Sequence, residues 1–108
     1  MINIEPQHLK IVENILKKYP YSFFVFGSRI TAKARTFSDL DLCFFEDIPT
    51  KIQIQIEEDF EESDLPYKVD IVNWQSCNQE LKNVISKNMK CLQEGPNHFT
   101  IDKIFNSH

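Results

Sequence analysis

Only two glycines, three cysteines and one tryptophan occur in these 108 residues, and acids outnumber bases sixteen to twelve. Each shortage excludes something. With Gly27 and Gly95 far apart, the chain has no flexible glycine-rich linker, and neither an internal repeat nor a low-complexity tract interrupts it. A single domain with one small core is therefore expected. Cys43, Cys77 and Cys91 form no C-x-x-C pair and leave an odd count, which argues against a disulfide framework and fits reduced thiols. His8, His98 and His108 have no metal-ligand spacing, among themselves or with the cysteines. No apolar run approaches the ~20 residues of a membrane helix, and the N-terminus lacks a signal pattern. The expectation is a soluble, cytoplasmic protein. A net charge of −4 also argues against bare duplex nucleic acid as the main partner.

The charge that is present is unevenly spread. Arg29, Lys33 and Arg35 lie in a segment without acids, whereas Glu57, Glu58, Asp59, Glu61, Glu62 and Asp64 form an acidic block. The block reads first as a solvated helix face.

Periodicity divides the chain into short elements. Pro6 suits the first turn of a helix carrying Leu9, Val12, Ile15, Leu16 and Tyr19, which Pro20 ends. An apolar strand is expected from about Tyr21 to Phe26 and a second from about Asp39 to Phe45. Residues 51–56, KIQIQI, alternate as a strand would; a capping box of Thr50 with Gln53 and the recurrence of Ile52, Ile56 and Phe60 favour a helix. After the turn at Asp64-Leu65-Pro66, a third strand covers about Tyr67 to Asn73. Ser76 with Gln79 forms a second capping box, opening a helix striped with Leu81, Val84, Ile85, Met89 and Leu92 and stopped by Gly95-Pro96. Ile101, Ile104 and Phe105 keep helical spacing in the tail. The pattern predicts an α/β domain with a mixed sheet over residues 1–95, followed by a tail over 96–108 that is a short helix or disordered.

Chemistry concentrates between the first two strands. Gly27-Ser28 ends the first apolar run, ten residues intervene, and Asp39-Leu40-Asp41-Leu42 opens the second. Alternation directs Asp39 and Asp41 to one face and the leucines to the other. Two adjacent carboxylates repel unless a cation lies between them, and a hard divalent ion such as Mg²⁺ favours oxygen ligands while leaving positions open for phosphates. Glycine permits close backbone approach, and a serine hydroxyl with the N–H groups of a following helical turn can cradle phosphate oxygens. Asp70, in the run Lys68-Val69-Asp70-Ile71-Val72, completes a carboxylate triad able to hold two metal ions. Phe37 and Trp74 suit base stacking or, more simply, rim packing.

Gly27-Ser28, the ten-residue spacer, Ser38-Asp39-Leu40-Asp41-Leu42 and the later strand acid Asp70 together resemble the signature of the DNA polymerase beta-type nucleotidyltransferase superfamily. The short length resembles its minimal nucleotidyltransferase (MNT) branch, the antitoxin partners of HEPN-domain toxins. Ala32 stands near where many members carry a second spacer glycine. The resemblance implies the nucleotidyltransferase, polymerase beta palm-like fold. It implies catalytic, metal-binding Asp39, Asp41 and Asp70, two Mg²⁺ ions, and ATP gripped by Gly27, Ser28, Arg29 and Lys33. It further implies transfer of AMP to a hydroxyl, a tyrosine's by that resemblance, on a HEPN toxin held in a hetero-oligomer. Two other functions stay open: a module that neutralises its partner by contact alone, and a small-molecule nucleotidyltransferase.

Overall fold

The computed structural model describes residues 4–27 and 39–96. Its elements are α1 (Pro6–Leu16), β1 (Phe23–Phe26), β2 (Leu40–Phe44), α2 (Thr50–Glu61), β3 (Val69–Asn73), α3 (Gln79–Asn88) and β4 (Lys90–Gln93), with a 3-10 turn at Trp74–Ser76 between β3 and α3. Ser28 with the spacer at 29–38, and the tail at 97–108 with the helix expected there, lie outside the described residues.

The strands form one mixed sheet in the order β3-β2-β1-β4. β1 runs antiparallel to both β2 and β4, while β2 and β3 are parallel. Parallel neighbours need a long crossover, and α2 provides it. The uninterrupted apolar sequence of β1 follows from burial on both faces. Phe23 and Val25 join Leu40, Leu42, Phe44 and Ile71 in a core closed by Val12, Leu16, Ile56 and Phe60 of α1 and α2. Phe24 and Phe26 enter a smaller cluster with Cys43, Phe45 and Ile85 of α3. Cys43, in β2, is fully buried and packs as a small apolar side chain.

The expected mixed α/β architecture is present, and three local expectations are corrected. Residues 51–56 are helical, but Pro49 is the N-cap, Thr50 is the first helical residue, and no side chain caps the helix. At α3 the cap is Asn78, whose side chain accepts from the Leu81 N–H at 2.8 Å, because Ser76 is taken up in the 3-10 turn. The helix does not continue to Leu92. Met89 turns extended (φ −84, ψ 149) and Lys90–Gln93 becomes β4 on the open side of β1.

One side chain ties the sheet to α1. Gln93 Nε2 lies 2.9 Å from the Leu16 carbonyl and 3.0 Å from those of Tyr19 and Tyr21, so β4 adds a side-chain donor to the turn that follows α1, where the Leu16 and Tyr19 carbonyls also accept from the Tyr19 and Tyr21 N–H groups. Nearby, the Tyr19 hydroxyl donates to Asp59, and Lys18 Nζ lies 3.1 Å from the same carboxylate, joining α1 to α2. Asp59 is thus the member of the acidic block that has a structural task, while Glu57, Glu58, Glu61 and Glu62 are exposed.

Candidate functional site

Gly27 is delivered by β1 and Asp41 by β2, and antiparallel register brings them together: Phe26 is opposite Asp41, and Gly27 follows at once. Gly27 has φ +79, in the left-handed region where a side chain is strained. A Cβ there would also lie 2.7 Å from Asp41 Oδ2. Backbone conformation and close carboxylate approach independently require glycine.

Asp41 lies directly opposite Asp70 in the parallel ladder of β2 and β3. Leu40 and Leu42, both fully buried, anchor the strand so that Asp41 faces the α3 side with Cys43. Asp70 alternates in the same way with Val72, which packs against that smaller cluster. Burial first, and then the charges of Asp70 and Asp39, push the Asp41 carboxyl up to about 6. Asp39 precedes β2 and is exposed. Lys68 Nζ lies 3.5 Å from Asp70 Oδ1.

Among the described residues, no three His, Cys, Asp or Glu side chains are gathered as a ready metal cage. The donor chemistry nevertheless suits a hard divalent ion. A half-buried carboxylate in the field of two others gains from a cation, and all three offer oxygen alone.

Ser28, Arg29, Lys33, Arg35 and Phe37 lie outside the described residues. Trp74 packs rather than standing free for a base: its ring is 4.9 Å from that of Phe45, and Lys82 Nζ lies 5.5 Å from its centroid. Sequence reasoning missed Lys68 and a cavity of about 570 Å³ whose lining includes Asp70 and Lys68. Lys68 was within reach, since residues two apart in a strand share a face. The cavity was not, because α2 and the start of β3 meet there only after folding.

Comparison with known proteins identifies the family and the fold. The family described as polymerase beta nucleotidyltransferase matches residues 10–96. A Haemophilus influenzae relative, "Probable protein adenylyltransferase MntA", is 34% identical over 97 residues, covering 86% of this chain and 85% of its own. Among solved structures, a toxin-antitoxin with AMP-PNP has a TM-score of 0.62 at 17% identity, covering 82% of this chain and 75% of that one. A protein from Shewanella oneidensis has a TM-score of 0.60 at 18% identity, covering 95% and 82%. The toxin-antitoxin MntA-HepT has a TM-score of 0.58 at 15% identity, covering 86% and 75%. At these identities the structural likeness is one of fold.

Proposed function

The chain belongs to the polymerase beta nucleotidyltransferase family, and from that premise we propose that it transfers AMP from ATP to a hydroxyl of a HEPN-type partner, silencing it as an antitoxin. The observation that carries the reading is the pairing of half-buried Asp41 with Asp70, hard against Gly27. Adenylyl transfer to protein is the activity named for the Haemophilus influenzae relative, and AMP-PNP accompanies one structural neighbour.

In this reading Asp39, Asp41 and Asp70 hold two Mg²⁺ ions. When bound, Mg²⁺ supplies charge neutralisation along the triphosphate and acidifies the acceptor hydroxyl. Gly27 lets the backbone approach the phosphates, Ser28 offers its hydroxyl, and Arg29 and Lys33 offset phosphate charge. They orient the α-phosphorus towards the acceptor. The acceptor oxygen forms a bond to that phosphorus, the phosphorus bond to the bridging oxygen breaks, and pyrophosphate leaves. The hydroxyl proton passes to the Asp70 carboxylate. Residues 1–95 form the transfer domain and 96–108 an appended tail, and the acceptor is carried by the partner in a hetero-oligomer in the cytoplasm. No described helix is long and apolar enough to cross a membrane.

The test is co-expression with a small helical HEPN-like protein, followed by incorporation of label from α-labelled ATP. Label should enter the partner with the wild-type chain and not with Asp39→Asn or Asp41→Asn, which keep side-chain size and should remain folded. Wild-type-like transfer by either variant would sink the two-metal mechanism. Full neutralisation of the partner by both variants would show that contact alone is the activity.

A further inference from the structure

The cavity of about 570 Å³ lies between the C-terminal half of α2, the α2–β3 connection and the start of β3, and Asp70 belongs to its lining. Phe60, Leu65, Tyr67 and Val69 give it an apolar and aromatic floor, while Glu57, Glu61 and Asp70 supply acid at its walls. The one cation of that lining, Lys68, is already 3.5 Å from Asp70. Its volume falls within the ~300–1,000 Å³ usual for small-ligand sites. With Glu57, Glu61 and Asp70 against the single lysine, the lining is net negative and repels a bare triphosphate. The fitting occupant combines a ring for the floor with a cation for Glu57 and Glu61.

We propose that this cavity docks the acceptor segment of the partner protein, taking an aromatic side chain flanked by Arg or Lys. The inference rests on the reading of Asp70 as the group that receives the acceptor proton, because Asp70, on the edge strand β3, belongs to the lining of this cavity. Nucleotide and acceptor then approach the carboxylates from different sides. Gly27 marks the first approach, beside Asp41, and the α2–β3 cavity the second, beside Asp70. The acidic block on α2 thereby selects which hydroxyl is presented. Glu57 and Glu61 are exposed on their helix, so their charge can be changed without touching the core.

The test uses the full chain and two labelled peptides of equal length, each with a central tyrosine, one flanked by arginines and the other by glutamates. Fluorescence anisotropy should show the arginine peptide binding roughly tenfold or more tightly to the wild-type chain, with the preference weakening as salt rises. The double variant Glu57→Lys/Glu61→Lys should abolish the preference while the thermal shift produced by Mg²⁺ with ATP stays at its wild-type value. Equal binding of the two peptides, or binding of neither, overturns the inference. So does a variant that loses the Mg²⁺-ATP shift, since the cavity would then serve the nucleotide. If the wild-type chain shows the peptide preference but no Mg²⁺-ATP shift, the nucleotide chemistry fails and the docking surface stands.

Discussion

Gly27 and Asp41 occupy one another's space: the position of a Cβ on the glycine is 2.7 Å from Oδ2 of the aspartate. The close fit makes the turn after β1 part of the carboxylate site. Gly27→Ala should lower stability by about 1–2 kcal/mol, from left-handed strain together with carboxylate displacement. It should also shrink the thermal shift produced by Mg²⁺ with ATP. Gly95 is a useful control, since its Cβ would meet the Tyr21 carbonyl carbon at 2.8 Å, away from the acids. Gly95→Ala should therefore lower the melting temperature while sparing the ligand-induced shift, and equal ligand responses from the two variants would contradict this assignment.

Asp41 should impose a pH dependence on the metal-free protein. Its carboxyl titrates near 6 when folded against an ordinary 3.8, so the folded state binds the proton more tightly. The resulting destabilisation is fully present above pH 6 and is relieved as pH falls from 6 towards 3.8. Relative to Asp41→Asn, the wild-type chain should gain on the order of 1 kcal/mol between pH 7.5 and 4.5, after allowance for solvent access. Chemical denaturation of both proteins at several pH values, in chelator, checks the slope.

Tyr19→Phe should remove the hydroxyl that donates to Asp59 and cost about 1 kcal/mol at neutral pH. The Tyr19 hydrogen bond, with Lys18 beside it, holds the Asp59 carboxyl below its ordinary range. Its contribution is therefore present above that range and lost as pH falls through the lowered folded value. Unfolding curves of the two proteins should converge in acid and separate at neutrality.

Gln93→Ala should cost about 1 kcal/mol, because the Leu16, Tyr19 and Tyr21 carbonyls lose the amide that ties β4 to the turn after α1, while the first two keep a backbone donor. Gln93→Glu should be worse, since it sets a carboxylate against the same oxygens. Urea midpoints of the three proteins provide the comparison.

The legible parts of the sequence were those in which a local pattern and its burial agree. Phe23 to Phe26 is apolar throughout because both of its faces are covered, and Asp39-Leu40-Asp41-Leu42 alternates because one of its faces carries the acids. Met89 and Leu92 misled, since their spacing continues the α3 stripe across a reversal of the chain that no glycine or proline marks before Gly95. β4 is also largely exposed at Lys90 and Cys91, so it lacks the apolar density of a central strand. Ser76 and Asn78 are both good caps two residues apart, and only the 3-10 turn decides between them. Asp39, Asp41 and Asp70 could be singled out one by one. That Asp41 stands opposite Asp70 could not, because register between parallel strands is fixed through α2 and the core rather than by neighbours in sequence.

The strand order has a consequence for how the chain is completed. β1, near the beginning, pairs on one side with β2 and on the other with β4, the last strand described. During synthesis the strands bearing Gly27, Asp41 and Asp70 therefore emerge before the strand that closes the far edge of β1. Until residues 90–93 arrive, that edge offers open backbone groups beside Phe23 and Phe24, a template for pairing with another chain. Cleavage just before Lys90 would remove an edge strand and turn β1, otherwise paired on both sides, into the new edge of the sheet.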